Sequence, residues 1–148
     1  MTVVADDVAL YVLKFVDQKN IKNETEERII PGETVITKKI KKELNDYFDG
    51  KKYQFETPLA ITGSVFQKNV WKALKKIPKG ETRSYLDIAK SIKKPTAFRA
   101  VANANGANKL AIIIPCHRVI NANGNLGGYA GGISRKQWLI DHEKKHYG

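Results

Sequence analysis

The 148-residue chain has one cysteine, Cys116. That excludes an intramolecular disulfide and a zinc cluster built on thiolates alone. The sequence has no run of about 18 or more apolar residues, so no membrane span is predicted. Its first fifteen residues carry Asp6 and Asp7, where a secretory signal would need positive charge and then an apolar stretch. These absences predict an intracellular, cytoplasmic protein away from membranes. Acidic residues are scarce in one part only. Residues 58–148 hold 4 Asp/Glu against 16 Lys/Arg, whereas residues 1–57 hold 11 against 10. The whole excess behind the net charge of +11 therefore lies in the second part. A basic field confined to one region suits a polyanion, with nucleic acid favoured over an anionic surface or mere solubility charge. Also missing is the Gly-x-x-x-x-Gly-Lys-Ser/Thr phosphate loop. The stretch Asn121 to Gly132 has five glycines and three asparagines, but not that order, and reads as a loop with unusual backbone angles.

The elements that are present point to an α+β protein: a small N-terminal strand-and-helix domain (residues 1–57), then a mainly helical domain (58–148). Residues 3–15 read as two short strands turning at Asp6-Asp7. Residues 17–33 are polar and without period, which predicts a loop. Ile40, Leu44, Tyr47 and Phe48 fall at helical spacing between Thr37 and Gly50. Pro58 and Gly63 mark a linker. Ser64, with Gln67 three residues on, predicts a capped helix running to Ile77. Ser84 caps a second helix to about Ile92, and Thr96 a third to about Asn105. Two helices joined by a short turn within about 22 residues predict a helix-turn-helix. Leu110 to Ile114 is a buried, strand-like apolar run, and Ser134 opens a last helix with Trp138, Leu139 and His142 inward.

Chemistry concentrates at Cys116. A thiol becomes a strong nucleophile only when its proton is drawn off; otherwise Cys116 is a small buried hydrophobe. His117 is adjacent, but neighbours on an extended segment face opposite ways, so the pair needs a bridging water or a turn after Pro115. A histidine base works best when a carboxylate orients its other nitrogen, and Asp141 or Glu143 on the last helix can supply it. Arg118 reads equally as a phosphate clamp or an ion-pair partner. Arg99 stands among small residues on the third helix of the second domain, where it can approach a DNA groove or simply be an exposed charge. Tyr85 is either core or a phenol facing a ligand. His142 and His146 lie four apart, but without a third ligand no metal site is predicted.

The combination Ser64-Val65-Phe66-Gln67, Val70-Trp71, Ile77-Pro78-Lys79-Gly80, Ser84-Tyr85, Arg99-Ala100-Val101, Asn108 and Pro115-Cys116-His117-Arg118-Val119-Ile120 resembles the O6-alkylguanine-DNA alkyltransferases. The resemblance covers about residues 60–145. It implies a DNA repair protein that takes the alkyl group of O6-alkylguanine onto Cys116 once, after flipping the base from duplex DNA. It implies that His117 acts through water with Glu143, that Asn108 braces the turn, and that Tyr85 lies by the flipped guanine and its phosphate. Arg99 would fill the vacated stack, with Lys93, Lys94 and Lys109 on the backbone. Val119, Tyr129 and Ala130 would line the base pocket. No cofactor is expected, because the product thioether does not hydrolyse, and the protein is expected to act as a monomer. Two positions depart from the usual pattern: Lys109 stands where proline is common, and Ala130 where serine is frequent. A non-catalytic damage-binding module, a sequence-specific regulator and a cysteine hydrolase are the alternatives. Methyl transfer to Cys116 separates the first from the alkyltransferase, and preference for one DNA site would mark the second.

Overall fold

The computed structural model describes residues 1–16 and 31–148. The predicted loop at 17–33 lies mostly outside them. The chain divides into two units, Met1–Ile61 and Thr62–Gly148, four residues beyond the boundary that composition suggests.

In the first unit, β1 (Thr2–Ala5) and β2 (Leu10–Lys14) form an antiparallel hairpin. Asp6 makes its turn by accepting the backbone N–H groups of Val8 (2.7 Å) and Ala9 (2.8 Å). Helix α1 (Val35–Phe48) begins two residues before the predicted start, because Thr34 and Thr37 form a reciprocal capping box. Its inner face carries Ile36, Ile40, Leu44 and Tyr47. Glu43 on that face is buried, and its carboxylate accepts the backbone N–H of Glu56 and both the N–H and hydroxyl of Thr57. This contact turns the chain back so that Leu59 pairs in parallel with Leu10.

The second unit is built on capping boxes. Ser64 and Gln67 start α2 (Val65–Lys75), and Ser84 and Asp87 start α3 (Tyr85–Ser91). Val70, Trp71 and Leu74 of α2 are buried, each burial worth roughly 1.5–3 kcal/mol. The Trp71 indole N–H donates to the carbonyl of Ala104 in α4 (Phe98–Gly106) at 2.9 Å, tying α2 to α4. Gly63 is required here, since a Cβ would stand 2.7 Å from the Trp71 ring. Helices α3 and α4 form the expected helix-turn-helix. Thr96 does not cap α4: its N-cap is Ala97, with no side-chain hydrogen bond.

The apolar run before the cysteine is not a strand. Ala111 to Ile114 are a tight turn with Ile112 at φ 71°, and Cys116–Arg118 form one turn of 3-10 helix. Two short strands follow from its position: β3 (Arg83–Ser84) and β4 (Val119–Ile120) pair in parallel. The last helix, α5 (Ile133–Tyr147), starts from Gly132 at φ 94°, which makes Ser134 its second residue rather than its cap. Its buried face is Lys136, Leu139, Ile140, His142 and Glu143, and Trp138, expected inward, is half exposed. No helix among the described residues is long and apolar enough to cross a membrane.

Candidate active site

The 3-10 turn decides the geometry around Cys116. It replaces the extended segment expected from sequence, so consecutive side chains no longer alternate between faces. Cys116, His117 and Arg118 are all buried. Asn108 holds the turn from outside. Its Nδ2 donates to the Ile114 carbonyl at 2.8 Å and to Sγ of Cys116 at 3.2 Å, while its Oδ1 accepts the Leu110 N–H at 2.9 Å. Asn105 adds a longer bond from Nδ2 to the Cys116 carbonyl at 3.3 Å.

Behind the thiol runs a chain of charged and polar groups. His117, with no exposed surface, meets Glu143 through Nε2 at 2.7 Å. Glu143 is gripped by Arg118, whose Nε lies 2.9 Å from Oε2 and whose terminal nitrogen lies 2.8 Å from Oε1. The other Arg118 terminal nitrogen donates to the Ile77 carbonyl at 2.8 Å. Arg118 is therefore a structural ion-pair partner, the alternative that sequence left open. Of the two acids on α5, Glu143 is the one brought in, while Asp141 accepts from Gln137 on the exposed side.

These contacts set the protonation states. Burial alone would raise the Glu143 carboxyl, but the hydrogen bonds and charges of His117 and Arg118 prevail and hold it at about 2. Burial pushes His117 down against the pull of Glu143, so the ring is neutral at pH 7. A neutral ring donating from Nε2 to a carboxylate leaves its lone pair on Nδ1. That atom is buried and has no partner among the described residues. Burial raises the Cys116 thiol, partly opposed by the Asn108 hydrogen bond and the nearby Lys136 charge. The resting site thus holds a thiol and a free imidazole lone pair.

The Gly-rich loop closes over this centre. At Gly127, φ is 72°, and a Cβ there would lie 3.4 Å from the Tyr85 hydroxyl. Burial and the neighbouring Cys116 raise both Tyr85 and Tyr129, so both stay phenols. Ala130 is exposed on the loop, whereas Val119 has no exposed surface at all.

Residues 65–145 match the DNA-binding domain of 6-O-methylguanine DNA methyltransferase. The chain belongs to that family. The methylated-DNA–protein-cysteine methyltransferase of Methanosarcina mazei is 50% identical over 121 residues, covering 79% of this chain and 77% of that protein. Its counterpart from Mycobacterium bovis is 56% identical over 102 residues, covering 69% and 62%. Among solved structures, Mycobacterium tuberculosis OGT in complex with DNA superposes with a TM-score of 0.86 at 44% identity, covering 97% of this chain and 86% of that one. S. pombe Atl1 in complex with damaged DNA containing O6-carboxymethylguanine gives 0.50 at 27% identity, covering 56% and 79%.

In this alkyltransferase-family chain, the candidate DNA-facing residues separate into two groups. Arg99 is exposed at the second residue of α4, and Lys93 is exposed in the turn before it. Lys94 is exposed but lies over the Phe66 ring, 5.5 Å from its centroid. Lys109 is half-buried and donates to the Thr62 hydroxyl at 3.1 Å, which sets it apart from the helix-turn-helix. One central residue escaped sequence reasoning. Lys136 is wholly buried, and its ammonium donates to the carbonyls of Leu126 and Gly128 while lying 5.9 Å from the Tyr85 ring centroid. Burial lowers it to about 8 against the pull of Cys116. Its signal was spacing: Lys136 and Glu143 are seven apart, with Leu139 and Ile140 between them on the same face.

Proposed function

We propose that this protein repairs DNA by transferring the alkyl group of O6-alkylguanine irreversibly to its own Cys116, in a single turnover. The observation that carries this reading is the buried sequence of contacts from Arg118 through Glu143 to His117, the residue next to a thiol that burial keeps protonated, with the His117 Nδ1 lone pair left without a partner among the described residues. Arg118 fixes Glu143 as a carboxylate, and Glu143 fixes the tautomer of His117. Nδ1 then takes the thiol proton through one bridging water. The thiolate attacks the alkyl carbon, the S–C bond forms as the C–O bond breaks, and the electron pair leaves with the guanine oxygen. The departing base needs a proton, and the Tyr85 phenol can give it. A thioether has no ready route back, so the site is spent and needs no cofactor.

A buried Sγ cannot meet a base inside a duplex, so the nucleotide must be flipped out. In this reading Arg99, exposed near the start of α4, enters the vacated stack, and Tyr129 and the backbone around Ala130 receive the flipped base. Lys93 and its neighbours add phosphate contacts with little sequence preference. One thiol and one lesion complete the chemistry without a second subunit, so the reading includes monomeric action, in the cytoplasm.

The test is the mass of the protein and of its Cys116 peptide after mixing with a duplex carrying one O6-methylguanine. The expected result is one methyl per protein on Cys116, absent from Cys116→Ala. Tight lesion binding with no gain in mass would replace this reading with damage binding alone.

A further inference from the structure

Helices α2 and α3 enclose a groove of about 720 Å³ that the reaction at Cys116 does not use. Lys72 lines it from α2, Lys76 from that helix's C-cap, Arg83 from β3, and Lys93 from the turn after α3. Its lining holds one acid, Asp87, which accepts the Ser84 N–H at 3.0 Å in the α3 cap. Arg83 pairs with Glu81 at 3.4 Å, but both side chains are substantially exposed, so that pair screens little. Lys72, Lys76 and Lys93 are exposed and make no ion pair among the described residues. The floor includes Ala73, Ile77, Ile88 and Ile92. Like charges along an apolar wall repel one another and focus a positive field into the groove, an arrangement whose natural complement is a row of anions.

Position in the fold says which anions. Lys93 occupies the helix-turn-helix turn at φ 61°, a left-handed angle that a glycine would adopt without strain. It lines the groove and lies five residues before α4, whose second residue is Arg99. In a helix-turn-helix the first helix, here α3, is the one that crosses the nucleic-acid backbone. We infer that the α2–α3 groove holds backbone phosphates of the duplex flanking the lesion, extending the contact beyond the helix-turn-helix itself. This rests on the DNA-binding part of the reading above, and not on alkyl transfer.

The test compares wild type with Lys72→Ala/Lys76→Ala, exposed positions on α2 and at its C-cap. Binding is measured across a salt series to undamaged and O6-methylguanine duplexes, one short (about one helical turn) and one about twice as long. On the long duplexes the variant is expected to bind about tenfold more weakly and to lose close to two from the slope of log K against log salt, about 0.9 per phosphate contact. On the short duplexes the two proteins should bind alike. An unchanged slope on the long duplexes would overturn the inference, as would an equal loss on short ones, which would put the two lysines at the lesion. Methyl transfer by the wild type on the same lesion duplexes reports separately on the proposed chemistry, so one can fail without the other.

Discussion

At the scale of single residues, the site's chemistry depends on Glu143 being charged while wholly enclosed. Its carboxyl is held at about 2, below an ordinary value of 4.5. A carboxyl depressed in the folded state contributes stability that is complete above its unfolded pKa and is lost as pH falls through the folded one. Wild type should therefore lose stability from about pH 4.5 down to pH 2, as read by urea unfolding at stepped pH. Glu143→Gln should lack that segment of the acid limb. It should also be less stable at pH 7 by about 3–5 kcal/mol, because Arg118 is left buried without its anion. Without an oriented imidazole, methyl transfer should slow by about 10²–10⁴. If transfer kept its full rate, His117 would not be the base.

Lys136 has the opposite linkage. A lysine lowered to about 8 from 10.5 is deprotonated in the folded state over a range where the unfolded chain still binds the proton. The unfolded state then holds more protons, so stability rises with pH across that window. Wild type should gain on Lys136→Met between about pH 8 and 10.5, measured as the difference between their urea midpoints. Methyl transfer should be slower in the variant, since Leu126 and Gly128 lose the ammonium that pins the Gly-rich loop. A constant stability difference across that window would mean that Lys136 titrates normally.

At the scale of elements, Lys93 sets stability against binding. It ends α3 in the left-handed region, where Lys94 N–H reaches back to the Ala89 carbonyl at 2.9 Å, a helix ending in which glycine is favoured. Lys93→Gly should stabilise the protein by about 1 kcal/mol, raising Tm by about 2–4 °C for a chain of this size. Its affinity for duplex DNA should fall at the same time. Calorimetry and a binding isotherm on one preparation check both halves. The same scale shows what sequence could tell. Caps carried by adjacent residues, Ser64 with Gln67 and Ser84, were legible because their hydrogen bonds are local. Ser134 has the chemistry of a cap, but Gly132 opens the helix earlier. Ile112 to Ile114 looked like strand, being β-branched and apolar. Yet Asn108, from outside the run, supplies the hydrogen bonds at Leu110 and Ile114 that a ladder partner would otherwise give. Lys136 was missed because a lysine on an inward helix face is legible only once the loop carbonyls that solvate it are in place.

At the scale of the whole molecule, the product of the reaction stands in a site built for the reactant. Cys116 is 7% exposed, and its sulfur accepts a hydrogen bond from an asparagine that also holds the surrounding turn. Methylation adds a carbon to a packed interior and removes the thiol's proton. Overpacking by one such group costs about 1–3 kcal/mol, and Asn108 cannot compensate without releasing Ile114 or Leu110. That disturbance reaches the chain from α4 to β4, and through His117 it reaches α5. The spent protein should therefore melt several degrees below the unreacted one, by about 2–4 °C per kcal/mol. Calorimetry on protein reacted with the lesion duplex and freed of DNA in high salt measures this, with Cys116→Ala taken through the same steps as the control for handling. Equal melting temperatures would mean that the pocket receives the methyl in space already present. The turn held by Asn108 would then be as well packed around a thioether as around a thiol.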